Sequence, residues 1–447
     1  MLNQRLAVRA LTIVEEENVP IPEAVERVCA EVPLDVRRSV QAFVYETMKR
    51  INLLDEVIRT ASDLDPRRVR STPLRWILRV GVLEMKVWNN PPAPVTDCMV
   101  RLAKEMVNER AGGLVNAVLR RVESVDVEED VLSGRDPVER LALEHGHPKW
   151  FVEYCMRLLG RRKTELLLRA NNRVPPQYLR LNTLMVDTLT GPELLRRRYG
   201  IVTEPTFLEE VRTLIRGRGY GSKAWREGLV DVQDLASACA SAALPVEPGD
   251  VVLDVCAAPG SKTTHLAQRM MDEGKIYSID IDPKGLRVLE RRCRRLGITC
   301  VETVRRDARR LDPDSVPEPP DAILVDPPCS TTGVWNRNPD SRWKPKPLRR
   351  FARREWSVLR ACLRVAEEYG CPVVYSTCSV SWEENEAIVK RAHDVFGFKP
   401  VEPDVPGSKG LERGPKGERF EWPERVRRYW PFRHDSAGFF VSLLEPS

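Results

Sequence analysis

The sequence lacks the long apolar runs, the targeting segment and the paired cysteines that mark several classes of protein. No apolar run approaches the ~18 residues that a membrane-spanning helix needs, and Glu15, Glu16 and Glu17 stand where a signal peptide would need apolar residues. None of the 11 cysteines belongs to a Cys-x-x-Cys pair. We therefore expect a cytoplasmic protein with reduced cysteines, no disulfides, no metal site and no membrane partner.

The chain also lacks a strong net charge. Its 71 basic and 65 acidic residues give +6 over 447 residues, which is weak evidence for a polyanionic partner. Arginine nevertheless occurs in short clusters, at 161–162, 196–198, 291–292, 305–306, 349–350 and 353–354. Guanidinium groups pair with phosphates and stack on bases, although a solvated helix face explains any single cluster equally well.

Residues 1–125 have the apolar periodicity of helices. Between 34 and 58 apolar residues recur at spacings of three, four and seven, and 74–88 and 114–122 repeat the pattern. We predict an all-helical domain over 1–125, with an acidic linker at 126–136.

The remainder of the chain has a mixed pattern. Over 138–228 it predicts a small α+β domain, with helices at 150–159, 163–170 and 192–199 and a strand at 178–184. From residue 229 onward, short apolar runs alternate with segments of helical length, at 251–255, 275–281, 322–325 and 372–375. Such alternation is typical of a parallel sheet with crossover helices. We predict an α/β domain over 229–447, with a surface loop at 403–415.

The first candidate site is the turn after the run at 251–255. Residues 256–264 read Cys-Ala-Ala-Pro-Gly-Ser-Lys-Thr-Thr, and such a turn from strand to helix exposes backbone N–H groups. It has neither the dinucleotide pattern nor the Walker spacing. Asp280 ends the second strand, where a carboxylate can bind both hydroxyls of a ribose, and Asp307 ends the next. Either aspartate alone could cap a helix, but three such features in order indicate a nucleoside pocket.

Two cysteines follow the next two strands. Cys329 lies in Asp326-Pro327-Pro328-Cys329-Ser330, and Cys378 lies in Ser376-Thr377-Cys378-Ser379. Ligands bind beyond the carboxyl ends of parallel strands, so both cysteines should face the pocket that begins at Cys256. One cysteine at a strand end is usually a small buried hydrophobe. Two at matching ends, one of them after Asp-Pro-Pro, indicate a chemical role.

Taken together, these motifs resemble the Sun/NOL1/NOP2 family of S-adenosyl-L-methionine-dependent RNA cytosine-C5 methyltransferases. The residues that carry the resemblance are Cys256–Lys262, Asp280–Asp282, Asp307, Asp326–Gly333, Tyr375–Ser379, Glu383–Asn385 and Gly438–Phe440. Residues 147–150, 171–172, 175–176 and 179–182 resemble the family's pre-catalytic region, and 115–121 resembles the NusB-like domain of its bacterial 16S rRNA member. The resemblance implies a Rossmann-like methyltransferase domain, preceded by an all-α NusB-like RNA-binding domain and a small α+β RNA-binding domain.

The resemblance also implies roles for individual residues. S-adenosyl-L-methionine would be bound by Cys256, Ala257, Ala258, Pro259, Gly260, Ser261, Lys262, Asp280, Asp307 and Asp326, with Asp280 on the ribose and Asp307 near the adenine amine. Cys378 would be the nucleophile, Cys329 would assist its release, and Asp326 would hold the N3/N4 edge of the cytosine. Lys262 has two interpretations, of which we favour the first: it lowers the thiol pKa and orients the base, or it caps the loop.

The chemistry explains why such an enzyme needs a thiol. Cytosine C5 is too poor a nucleophile to take a methyl group from a sulfonium until a thiolate has added to C6. Two substitutions relative to the family's common pattern, Pro327 and Ser261, remove no functional group.

The choice of substrate leaves alternatives open. We expect a monomer that acts on RNA, with rRNA favoured over tRNA because of the NusB-like helices, since tRNA methylases of the family share the catalytic residues. DNA is disfavoured: Glu17-Asn18-Val19 matches a motif of DNA cytosine methylases but lies in the helical region. A noncatalytic rRNA-binding assembly factor is the alternative from another class, and the intact Cys329 and Cys378 argue against it.

Overall fold

The computed structural model describes residues 1–446 and divides the chain into two units. The first unit is Met1–Asn172 together with the short segment Arg337–Lys344. The second is Arg173–Asn336 together with the chain from Pro345 onward. No helix within residues 1–446 is long and apolar enough to span a membrane.

The first unit is helical, which confirms the all-α prediction for the N-terminal part. Its helices are α1 (Leu2–Glu17), α2 (Ile21–Val28), α3 (Leu34–Lys49), α4 (Ile51–Ser62), α5 (Thr72–Val82), α6 (Pro92–Met106), α7 (Glu109–Ser124), α8 (Pro137–Glu144) and α9 (Lys149–Asn172). Side-chain caps determine where several of these helices begin. Asn108 caps α7 by accepting from the Ala111 N–H at 2.9 Å, for example. The apolar faces meet in one core that includes Leu11, Val44, Leu54 and Leu119, all fully buried.

The acidic segment at 126–136 is not the linker that its composition predicts. Asp126 caps a short π-helical turn at Val127–Leu132, and the two apolar residues at the end of that turn, Val131 and Leu132, are buried in the helical core. Asp136 then caps α8 through the Val138 and Glu139 N–H groups. Because this apolar pair packs in the helical core, the chain remains part of the first unit, and the boundary between the two units falls after Asn172.

The segment Arg337–Lys344 places a buried arginine in the first unit. The Arg342 guanidinium is fully buried and donates to the carbonyl oxygens of Gly146 (3.0 Å) and Asn171 (2.6 Å) and to Asn172 Oδ1 (2.8 Å). Burial lowers the pKa of Arg342 to about 9. Two of the acceptors lie at the C-terminus of α9, where a cation also meets the negative end of the helix dipole.

A small antiparallel sheet opens the second unit. It contains β1 (Tyr178–Leu181), β2 (Val202–Pro205), β3 (Val211–Arg216) and β4 (Val230–Val232) in the order β2-β3-β1-β4, with helices α10 (Gly191–Tyr199) and α11 (Lys223–Arg226). Arg180 of β1 is fully buried and donates to the Ser261 carbonyl (2.7 Å) and to Thr264 Oγ1 (2.8 Å). The small sheet thereby supports the start of the first helix that follows the candidate loop.

The large sheet has eight strands. They are β5 (Val251–Val255), β6 (Lys275–Asp280), β7 (Val301–Arg305), β8 (Ala322–Val325), β9 (Val373–Thr377), β10 (Lys399–Val401), β11 (Val426–Tyr429) and β12 (Phe439–Glu445). The order is β10-β12-β9-β8-β5-β6-β7, and β11 pairs with β12. Strands β5 to β9 are parallel, as the alternation predicts, whereas β12 runs antiparallel to β9.

Six helices accompany this sheet: α12 (Leu235–Ala242), α13 (Ser261–Arg269), α14 (Pro283–Leu296), α15 (Leu348–Tyr369), α16 (Glu386–Phe396) and α17 (Pro431–His434). Strand β5 lies between β6 and β8, so the strand order reverses there. In open sheets such a reversal opens a crevice beyond the carboxyl ends of the strands. The Rossmann-like prediction is therefore confirmed, and the crevice is where the candidate residues belong.

We predict that Arg342→Met destabilises the first unit by about 3 kcal/mol, because it removes charged hydrogen bonds and leaves buried acceptors without a donor. Calorimetry of the full chain should show a lower transition temperature for this variant. Arg349→Met, at an exposed position nearby in sequence, is the control. Equal transition temperatures for the two variants would contradict the role given to Arg342.

Candidate active site

The loop after β5 turns sharply into α13. Cys256 has φ 64° and Gly260 has φ 94°, and a Cβ on Gly260 would lie 2.5 Å from Cγ of Leu289 in α14. Cys256 and Ala257 both donate their N–H groups to the Ile279 carbonyl, at 2.8 and 3.2 Å. The loop amides are thus largely bonded within the protein. The amides before α13 therefore hold the loop in shape, while the first turn of α13 has no side-chain cap.

The two strand-end aspartates have different surroundings. Asp280 accepts from the Ala258 N–H (3.1 Å, Oδ2) and the Asp282 N–H (2.8 Å, Oδ1), which leaves each carboxylate oxygen with further acceptor capacity. Asp307 instead caps its own turn and pairs with the Arg309 guanidinium (2.6 Å), which lowers the pKa of Asp307 to about 2. Asp280 is therefore placed to bind a ligand, whereas Asp307 is held by a neighbour.

Lys262 and Asp326 form an ion pair at the carboxyl ends of β5 and β8. Lys262 Nζ lies 2.5 Å from Asp326 Oδ2 and 5.0 Å from the centre of the Phe439 ring. Ser376 Oγ donates to Asp326 Oδ1 at 2.9 Å. The sequence motifs contain Ser376 and Phe439 but assign them no role, because only the folded sheet brings β9 and β12 beside this pair.

The two cysteines meet, as the topology predicts. Their sulfurs are 3.0 Å apart, well beyond the ~2.05 Å of a disulfide, so both are free thiols. Cys329 is buried, and Cys378 is more exposed. The neighbouring Cys378 sulfur, together with burial, raises the pKa of Cys329. Burial also raises the pKa of Cys256, which keeps that third thiol protonated.

One close backbone approach joins the two cysteine loops to β12. The Gly333 N–H donates to the Cys378 carbonyl (2.9 Å), and the Gly438 N–H donates to the Gly333 carbonyl (2.7 Å). A Cβ on Gly333 would lie 2.0 Å from the Gly438 carbonyl oxygen. Glycine is therefore required at 333 by the space available.

A buried carboxylate, that of Glu384, is hydrogen-bonded to both cysteine loops. Glu384 accepts four hydrogen bonds, from the Ser330 N–H (2.6 Å) and from the hydroxyls of Ser330 (2.6 Å), Ser379 (2.5 Å) and Ser381 (2.6 Å). Ser330 follows Cys329, and Ser379 follows Cys378. Glu384 therefore fixes both cysteine loops, a role that its motif alone does not reveal.

Comparison with known proteins agrees with this arrangement. Residues 1–124 match the NusB family, and residues 241–445 match the family described as 16S rRNA methyltransferase RsmB/F. The chain is 30% identical to a probable ribosomal RNA small subunit methyltransferase B of Bacillus subtilis (strain 168) over 414 residues, which are 90% of this chain and 88% of the relative. It is 27% identical to ribosomal RNA small subunit methyltransferase B of Salmonella typhi, covering 95% and 98% of the two chains.

Solved structures give the same result. The crystal structure of PH0851 is similar to this chain with a TM-score of 0.81 and 26% identity, covering 99% of this chain and 98% of that one. A methyltransferase homolog from Pyrococcus horikoshii has a TM-score of 0.60 and 27% identity, covering 70% and 100%.

Fold and site together define an S-adenosyl-L-methionine-dependent methyltransferase that carries an N-terminal NusB domain. The chain belongs to the RsmB/F family of 16S rRNA methyltransferases, and it is an rRNA cytosine methyltransferase. The expectation of an rRNA methylase is thereby confirmed. The tRNA-specific and noncatalytic alternatives are set aside.

We predict that Gly333→Ala lowers the rate of methyl transfer at least about tenfold, because the added methyl group must push the Cys378 loop away from β12. Transfer of labelled methyl groups to unmodified 16S rRNA measures this loss. Gly113→Ala is the control, since a Cβ at this helical glycine has nothing within 4 Å. A Gly333→Ala variant as active as the control would show that the close approach is dispensable.

Proposed function

We propose that the chain transfers a methyl group from S-adenosyl-L-methionine to C5 of a cytosine in 16S rRNA through a covalent bond between Cys378 and C6. The observation that carries this proposal is the pair of free thiols, 3.0 Å apart at the carboxyl ends of β8 and β9. The Lys262–Asp326 pair at the same sheet edge supports it.

The pocket beside β5 and β6 fits the cofactor. S-adenosyl-L-methionine has a ribose but no phosphate, which suits a loop whose amides are already bonded and a carboxylate, Asp280, with capacity for two hydroxyls. When bound, it supplies a methyl group on an electrophilic sulfonium. We propose that Cys256–Lys262, Asp280, Asp307 and Asp326 surround it. Asp307 would accept a hydrogen bond from the adenine amine through acceptor capacity that its ion pair with Arg309 leaves free.

The two thiols differ in exposure, and we assign their roles from this difference. The more accessible Cys378 adds to C6, which makes C5 nucleophilic enough to accept the methyl group. Water then takes the proton from C5, the electron pair of that C–H bond forms the C5–C6 double bond, and the bond between C6 and sulfur breaks with its electron pair returning to sulfur. The buried Cys329 remains a thiol, so its S–H can donate a hydrogen bond to the Cys378 sulfur as the thiolate is released.

Lys262 and Asp326 act on the base. The Asp326 carboxylate accepts a hydrogen bond from the N4 amino group, and Ser376 fixes its second oxygen. The Lys262 ammonium supplies positive charge where negative charge builds on the ring after thiolate addition. This contact favours the interpretation of Lys262 as a base-orienting residue over that of a loop cap.

Exposed arginines at the start of α15 support RNA binding. Arg349, Arg350, Arg353 and Arg354 are exposed, and none of them forms an ion pair in the described part of the chain. Arg349 and Arg350 lie in the first turn, where a cation opposes the helix dipole, and a bound phosphate would offset this repulsion. We propose that RNA contacts these residues, the helical domain and the arginines of 138–228, and that the target cytosine is drawn out of its stack.

We predict that Asp280→Ala weakens the binding of S-adenosyl-L-methionine by about 1.5 to 3 kcal/mol, the usual range for charged hydrogen bonds. Isothermal calorimetry measures the affinity directly. Asp404→Ala, at an exposed aspartate in the 403–415 loop, should bind as the wild type does. An unchanged affinity in Asp280→Ala would remove the ribose assignment.

The roles of the thiols are tested by two variants incubated with cofactor and unmodified 16S rRNA. Cys378→Ala should abolish methylation and give no adduct, because C5 is never activated. Cys329→Ala should methylate and then stall as a protein–RNA adduct that survives denaturing electrophoresis. Cys98→Ala, in α6 of the helical domain, is the control.

The opposite pattern, with an adduct from Cys378→Ala alone, would reverse the assignment of the two thiols. Absence of labelled methyl groups in any RNA with the wild-type protein would refute the proposed function.

A further inference from the structure

A buried carboxyl group beneath the cysteine loops has no part in the chemistry described above. Glu355 lies on the face of α15 that packs against the sheet and is fully buried. Within residues 1–446, no N–H or O–H group lies in hydrogen-bonding geometry to either of its carboxyl oxygens. An ionised carboxylate in such a place is costly, so the group needs either a cation or its own proton.

Among the residues that the structure describes, none of the titratable groups that act most strongly on Glu355 is a cation. The titratable groups that face it are the carboxylate of Glu384, the phenol of Tyr375 in β9, and the thiols of Cys378 and Cys329. Tyr375 donates its hydroxyl to the Glu384 backbone carbonyl at 2.7 Å. Burial, followed by the charge of Glu384, raises the pKa of Glu355 to about 11.

The contact between the two carboxyl groups requires a proton. Glu355 and Glu384 lie within hydrogen-bonding range of each other, and two ionised carboxylates can only accept. Glu384 already accepts four hydrogen bonds through its two carboxylate oxygens, so it is the acceptor in this contact as well. The shared proton therefore belongs to Glu355.

We propose that Glu355 is a positioning residue that keeps its carboxyl proton and donates it to Glu384, thereby holding the carboxylate that fixes the Cys329 and Cys378 loops. The inference rests on the proposed function for its effect on catalysis. Glu355 touches no reacting atom and exchanges no proton during the reaction. Its effect reaches the sulfurs through Ser330 and Ser379, which Glu384 binds.

Two variants of the full-length protein separate this role from its alternatives. Glu355→Gln keeps a donor of nearly the same size and should retain kcat within about threefold. Glu355→Leu fills the space without a donor, and should lower kcat at least about tenfold with little change in KM for RNA. If Glu355→Gln lost activity tenfold, a proton-transfer role would replace the positioning role. If Glu355→Leu were fully active, only packing would remain.

The pH dependence of stability gives a readout that needs no methyl transfer. The unfolded chain releases the Glu355 proton near the ordinary pKa of 4.5, whereas the folded protein keeps it to about pH 11, so wild-type stability must fall as the pH rises between these values. Glu355→Gln lacks this loss. The unfolding constant of the wild type, divided by that of Glu355→Gln, should rise by up to tenfold per pH unit between pH 6 and 9.

Urea unfolding at several pH values measures this ratio. Glu367→Gln, at an exposed position on the same helix, should follow the wild type at every pH. A ratio that does not change with pH would overturn the proposal whether or not the protein methylates RNA. A rising ratio in a protein that methylates no RNA would support the protonated Glu355 and count against the proposed function alone.

Discussion

The candidate site depends on one carboxylate that is buried beneath its two cysteine loops. Glu384 binds Ser330 and Ser379, and each of these serines is covalently next to one of the two candidate cysteines. These hydrogen bonds add to the backbone bond between Gly333 and Cys378 in holding the two loops together. The contact between the two sulfurs, on which the proposed reaction relies, is therefore supported by hydrogen bonds buried beneath it.

The sequence predicts the site well where chain topology alone brings residues together. Cys256, Asp280, Cys329 and Cys378 each end a strand of one parallel sheet, so their proximity follows from strand order. Glu355 could not be found in this way, since it lies in the middle of a helix and carries no motif. Its significance comes from contacts with β9 and with the loop before α16, and these contacts exist only after packing.

In the fold, too, elements set by local sequence could be predicted, whereas those set by contacts between distant residues could not. Helical periodicity identified the N-terminal helices, and the break at Gly160 (φ 75°) separates the two helices expected within α9. The extent of the first unit could not be predicted, because the buried pair Val131 and Leu132 lies within an acidic stretch. The packing of Arg337–Lys344 in the first unit could not be predicted either, because Arg342 binds Gly146, which lies 196 positions earlier in the sequence.

That contribution has a consequence for the order in which the protein is made. The carbonyl groups that Arg342 satisfies belong to residues synthesised long before it, so the helical unit emerges from the ribosome lacking one of its own buried side chains. It can be completed only after β8 and the loop that carries Cys329 have also been translated. The N-terminal unit therefore cannot complete its folding before the later part of the chain is made. In this it differs from a domain that folds fully before the next domain is synthesised.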